Sequence, residues 1–250
     1  MRVLLALVAL LLLGGARDPI LVPEISQHEV QVRQGFTGAE LLLFGAILSP
    51  DGTRAGQDYD IVVVLKGPSN PVALREKRKM AGIWLNATSM ELHSVPSYFA
   101  VASTRPISKI VDNKTAAIYE LGLPWLQLSP TDAIDPKAQS HFAAGLVDLM
   151  SRKGLYQQSQ TGVTVKEQVL YQARMVLPSS VVTGRYTAET FAITHGRVVA
   201  SAVSTVEVRK LGFEGAIAQF AQTYSFLYGL LAIGIAVVMG WLAGRVFALV

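Results

Sequence analysis

The chain has 250 residues, a formal net charge of +4, 51% hydrophobic residues and no cysteine. That length suits one large domain or two small ones. The missing cysteines exclude disulfides, thiolate catalysis, Cys-ligated zinc and iron–sulfur clusters, and the lack of a Lys/Arg stripe with interleaved aromatics argues against nucleic-acid binding.

The first 16 residues read as a signal peptide. Arg2 supplies the positive start, residues 3–13 are apolar, and Gly14, Gly15 and Ala16 form a small-residue cleavage site. The apolar run is too short for the roughly 20 residues that a spanning helix needs. Export is the expectation, with cleavage after Ala16.

Residues 17–105 carry the signals of short strands. Apolar or alternating runs occur at 29–34, 41–48, 59–65, 72–74, 83–85 and 98–102. They are separated by Gly35, Ser49-Pro50-Asp51-Gly52, Gly67-Pro68 and Pro96. The densest basic run is Arg75, Lys77, Arg78 and Lys79 around Glu76; it reads as a solvated hairpin turn. Residues 106–155 form a helical connection. Asp135-Pro136 marks a helix start, Phe142, Leu146, Leu149 and Met150 line one face, and Gly154 marks the stop. A weaker helix covers 114–121. Strands return over 156–211, at 169–177, 186–193 and 198–208, with a turn at 194–197. This segment either forms a second β-rich unit or completes the first. The expected fold is mainly β: immunoglobulin-like β-sandwich regions with a helical insertion, plus one C-terminal transmembrane helix.

No charged residue occurs from 215 to 244. A juxtamembrane helix is expected over 212–225, with Phe213, Ile217, Phe220 and Tyr224 at helical spacing, and a transmembrane helix over 226–245. Tyr228 and Trp241 suit the two interfaces, and Arg245 suits a cytoplasmic flank. Residues 246–250 would be a short cytoplasmic tail. Ala232, Ala236, Gly240 and Gly244 recur every four residues, a small-residue stripe that lets a second helix approach closely. The lipid bilayer and a membrane-protein partner, or a second copy, are the expected partners.

Chemical motifs are sparse. His28, His93, His141 and His195 form no metal-binding spacing, and no serine elbow or phosphate-binding glycine loop occurs. Met90 and His93 are a weak copper pattern. No cofactor is expected.

Three blocks occur together: Phe36-Thr37-Gly38-Ala39-Glu40-Leu41, Gly82-Ile83-Trp84-Leu85-Asn86, and residues 96–106 from Pro96 through Arg105 to Pro106. With Val208-Arg209-Lys210-Leu211-Gly212-Phe213-Glu214 before the apolar helix, the chain resembles an uncharacterised family of alphaproteobacterial transmembrane proteins. The resemblance implies an inner-membrane protein facing the periplasm, encoded near sulfite-exporter-type permeases, and brings no catalytic residues. For Glu40, Trp84, Asn86 and Arg105 two readings stay open. In one, Glu40 and Arg105 pair or cap backbone groups while Trp84 packs. In the other, they share a recognition surface. The expected function is an accessory or assembly subunit of a membrane transport complex; a periplasmic small-anion or metal-binding module and an unrecognised enzyme are the alternatives.

Overall fold

The computed structural model describes residues 19–32, 36–48, 59–80, 82–131, 135–210, 217 and 220–247. The signal peptide, the 49–52 turn, Gly35, the start of the juxtamembrane helix at Gly212-Phe213 and the last three residues lie outside this set. Two compact units emerge: Met1–Val30 with Thr37–Val208, and Gln31–Phe36 with Arg209–Val250.

The first unit is mainly β. Its strands are β1 (Ile20–Ile25), β2 (Glu29–Val32), β3 (Gly38–Leu48), β4 (Asp60–Lys66), β5 (Ser69–Met80), β6 (Ile83–Pro96), β7 (Phe99–Ser103), β8 (Tyr156–Ser159), β9 (Val163–Lys166), β10 (Leu170–Pro178), β11 (Gly184–Thr194) and β12 (Arg197–Lys210). β2 and β12 run on past the unit's boundary. One sheet has the order β1-β3-β10-β9, a second β2-β12-β11-β4-β7-β8, and β5-β6 form a separate two-stranded ribbon. Each of the two larger sheets combines strands from before and after the helical stretch: β3 pairs β10, and β4 pairs β11. The pairing of β7 with β8 is parallel, which requires a long crossover. Residues 104–155 supply it.

The two larger sheets face each other. Tyr171 on β10 reaches Thr190 on β11, Oη to Oγ1 at 3.5 Å. Tyr98 Oη donates to the Val176 carbonyl of β10 at 2.9 Å, and its ring lies 5.9 Å from that of Tyr186. Buried hydroxyls without partners would cost roughly 1–3 kcal/mol each, so these bonds fix how the layers meet. The far face of the second sheet is covered by α1 (Ile107–Ile110) and α2 (Asn113–Ile118), with Tyr119 packed edge-on to Phe191 at 5.4 Å. β4 is therefore covered on both faces, and Ile61 through Leu65 are all 0% exposed. Asp112 caps α2, accepting from the Thr115 amide at 2.9 Å.

The long helix α3 (Pro136–Arg152) starts at Asp135, as the Asp-Pro pair implies. Pro136 occupies the first turn, and the Asp135 side chain makes no capping hydrogen bond. Gly154 ends the segment at φ +70°, a left-handed conformation that glycine adopts without a Cβ penalty. Leu146 is buried against Met90, Leu92, Val95 and Leu128, with Phe142 and Met150 alongside. Leu149 departs from the expected face: it borders an open groove with Leu74 and His141 and stays 42% exposed.

The ribbon corrects two expectations. Residues 72–74 and 83–85 are not separate short strands but parts of two long ones. The basic run 75–79 is not a turn. It lies within β5, paired from Arg75↔Ser89 to Lys79↔Trp84, and the reversal comes between Met80 and Ile83, where Gly82 has φ +85°. Charge density imitates loop composition here because both ribbon faces meet solvent. The base, at Val72, Leu74, Met90, Leu92 and Val95, packs against α3, and Glu76 lies 3.7 Å from His141 on that helix.

Candidate functional site

The second unit centres on α4 (Ser225–Phe247). Its stretch Ser225–Arg245 has 21 residues and a mean hydropathy of 2.2, enough to cross a membrane. At 1.5 Å per residue it is about 31 Å long, close to the hydrocarbon thickness. Ile217 and residues 220–223 are also helical, with a bend at Tyr224 where its ring meets Phe220 at 5.6 Å. Arg245 closes the span, its guanidinium carbon 5.7 Å from the centre of the Trp241 ring. Ala232, Ala236, Gly240 and Gly244 are exposed on α4. A Cβ added at Gly240 or Gly244 would meet no atom within 4 Å. The stripe is thus an unobstructed surface along one side of an apolar helix.

The four candidate recognition residues sit on different elements. Glu40 lies at the start of β3, points outward beside buried Leu41, and pairs with Arg174 on β10 at 3.7 Å. Trp84 and Asn86 lie near the ribbon tip on one side of β6, opposite Lys79 and Lys77. Trp84 does not pack; it is 64% exposed. Arg105 follows β7 and pairs with Asp60 at the start of β4, across 45 residues of sequence. No described contact joins these three places.

The Arg105 site is a charged corner. Its Nε donates to Asp60 Oδ1 at 2.7 Å, a terminal nitrogen donates to Oδ2, and Thr104 Oγ1 donates to Oδ1 at 2.9 Å. The same hydroxyl accepts from the Ile61 amide at 3.3 Å, and the Thr104 amide donates to the Ile61 carbonyl at 3.0 Å. Burial pushes the Asp60 pKa up, but the hydrogen bonds from Arg105 and Thr104 and the Arg105 charge together hold it below the usual carboxylate range. The bond to Asp60 in turn raises the Arg105 pKa. Lys109, Ile110, Thr194, His195 and Gly196 complete an open cleft of about 580 Å³. His195 adopts φ +49° in the β11–β12 turn. A smaller cleft of about 340 Å³ surrounds Lys66, which pairs with Glu120 at 2.7 Å and Glu189 at 3.7 Å.

In each cleft an ion pair stands at the centre, Arg105 with Asp60 in one and Lys66 with Glu120 in the other. Ser103 Oγ donates to the Arg105 carbonyl at 2.7 Å. Met90 is buried in the ribbon base, whereas His93, three residues along the same strand, is exposed on the other side. Among the described residues no three His, Asp or Glu side chains gather as metal ligands.

Sequence reasoning named Trp84 and Asn86 but missed the exposed apolar cluster around them at the ribbon tip. Met80, Ile83, Trp84 and Leu85 are 57%, 64%, 64% and 49% exposed, between strands bearing Lys77, Arg78 and Lys79. The signal was present: an apolar block directly after a basic block, without an acid between Glu76 and Glu91.

A family model described as "Putative transmembrane protein (Alph_Pro_TM)" matches residues 20–248. No curated protein matches the chain.

Proposed function

We propose, from the premise that this chain belongs to the Alph_Pro_TM family of transmembrane proteins, that it is a non-enzymatic accessory or assembly subunit of a membrane transport complex. α4 holds it in the bilayer and docks it to another membrane protein or to a second copy. One observation carries the reading: the helix presents four small residues in register, and they are exposed among the described residues. Lipid tails solvate Leu or Val faces well, so close helix approach along small residues is what favours a protein neighbour. The bulk of the chain belongs on the outer side of the inner membrane. The residue 1–16 pattern and Arg245 at the helix end support that orientation. The paired state of Arg105 and Lys66 supports a structural rather than catalytic use of the clefts. A sulfite-exporter-type permease is the partner that the family resemblance implies.

Replacing Gly240 and Gly244 with Leu tests this. A Cβ at either position meets no described atom within 4 Å, so the fold should stay intact. Recovery of membrane partners, or of a differently tagged second copy, from mild detergent falls, because Leu side chains there keep a second helix from approaching closely. Unchanged recovery of both overturns the docking role of the stripe.

A further inference from the structure

We infer that the tip of the β5–β6 ribbon is a membrane-surface probe that inserts end-on into the interface of an anionic lipid bilayer. The argument starts with cross-strand register. Met80 pairs with Ile83, Lys79 with Trp84, Arg78 with Leu85 and Lys77 with Asn86. Directly opposed residues share a face, and the faces alternate along the ribbon. Each face of the tip therefore carries both an apolar side chain and a cation.

A groove on a protein partner would cover one face and leave the other apolar set in water. End-on entry into a lipid interface covers all four apolar side chains at once and leaves the cations in a ring above them. From the Met80–Ile83 pair to the Lys77–Asn86 pair the ribbon spans three residues, roughly 10 Å at 3.3 Å each. That matches the 5–10 Å depth of the headgroup and upper acyl region. Lys and Arg stems lie along apolar surface while their charged ends reach the headgroups. Trp84 suits this depth because its ring is apolar with a polar N–H.

Charge selects the surface. Between Arg75 and Met90 four cations stand against the single carboxylate of Glu76, a local net charge of +3. Glu76 is itself engaged, accepting from Thr88 Oγ1 at 2.9 Å and lying 3.5 Å from Arg78 Nε. Anionic phospholipid is the complementary partner. The same lysines and arginines disfavour the other use of an open ribbon, edge-to-edge pairing with a second copy. The chain carries a candidate spanning helix of its own, which raises the effective lipid concentration around the rest of the chain. The inference needs no protein partner for α4 and stands or falls apart from the docking proposal.

The chain contains no cysteine, so one introduced at the tip is labelled uniquely. Full-length protein bearing Ile83→Cys, and a control bearing Ser180→Cys on the exposed turn after β10, would carry an environment-sensitive fluorophore. Both are reconstituted in vesicles of phosphatidylcholine alone or mixed with phosphatidylglycerol. Bromolipid should quench the tip label in the mixed vesicles and leave the control unaffected. Changing Lys77, Arg78 and Lys79 to Gln one at a time should lower the inserted-to-free ratio by roughly fivefold each, the equivalent of about 1 kcal/mol per cation at an anionic surface. Three results overturn the inference. A tip label open to aqueous iodide and untouched by bromolipid in both vesicle types places the tip in water. A label shielded from both quenchers places it under protein. Equal bromolipid quenching with and without phosphatidylglycerol removes the anionic surface as its target.

Discussion

β4 and the ribbon tip are built from the same kind of residues and end in opposite surroundings. Ile61-Val62-Val63-Val64-Leu65 are all 0% exposed, whereas Met80, Ile83, Trp84 and Leu85 are each about half exposed or more. β4 has β11 on one side and β7 on the other, an opposing sheet on one face and the α1–α2 segment on the other. The ribbon has two strands, and its buried apolar contacts lie at its base. Burying one large aliphatic side chain contributes roughly 1.5–3 kcal/mol. β4 contributes that term five times over, and the tip withholds it until something outside the folded unit covers it. Apolar strand composition thus reports a need for cover. The number of layers decides whether the fold supplies it.

The largest effect should come from a charge placed in β4. Val63 pairs with Thr190, so it points toward the opposing sheet, and Val62 pairs with Phe191, so it points toward Tyr119. Val63→Asp and Val62→Asp should each cost about 4 kcal/mol or more, because each puts a carboxylate where the native side chain is 0% exposed. Loss of the cooperative unfolding transition in detergent-solubilised protein would be the readout. A tolerated Val62→Asp would mean that the outer face of the sheet is open, and β4 would then resemble the ribbon.

The same contrast marks what the sequence discloses. The spanning helix is legible because thirty consecutive uncharged residues, 215–244, have few other uses. The Asp135-Pro136 start and Gly154 stop of α3, and the β11–β12 hairpin around His195-Gly196, are also legible, because each rests on neighbours in sequence. What escapes depends on distant partners. β1 contains Pro23, a local argument against a strand, yet an edge strand needs no amide from it there. The basic run 75–79 resembles a turn until a fourteen-residue β6 is available to pair with it. Arg105 meets Asp60 rather than Glu40, a choice made by the β4–β7 pairing across 45 residues. Nothing adjacent in sequence marks Glu120, at φ +51°, as the anion that holds Lys66.

An intermediate effect separates the regions by pH. Burial raises the Tyr98, Tyr156, Tyr171 and Tyr186 pKa values above the ordinary tyrosine value. All four belong to the two-sheet unit, and the ribbon contains no tyrosine. The folded state disfavours tyrosinate, so this stability is complete below the unfolded value near pH 10 and falls as pH rises through and beyond it. For Tyr98 the slope is about 1.4 kcal/mol per pH unit. Denaturation midpoints should drop steeply above about pH 10, and Tyr98→Phe should flatten that drop while losing about 1 kcal/mol at neutral pH with the bond to Val176. An alkaline limb unchanged by Tyr98→Phe would place the titrating groups elsewhere.

The smallest effect is the most discriminating, since it follows one strand from covered to uncovered ground. Leu92 and Leu85 both lie on β6, at 2% and 49% exposure. Leu92 sits with Met90, Val95, Leu128 and Leu146 under α3, so Leu92→Ala should cost about 2–4 kcal/mol through lost burial and the cavity left behind. Leu85→Ala and Trp84→Ala should each move the unfolding free energy by no more than about 0.5 kcal/mol, because both side chains are about half exposed or more in the folded chain. Thermal midpoints of the three variants in lipid-free detergent measure the gradient directly. A cost at Leu85 close to that at Leu92 would show that the tip is covered within the chain, and the contrast with β4 would collapse. A neutral tip beside a costly base leaves its apolar side chains free for a surface outside the fold.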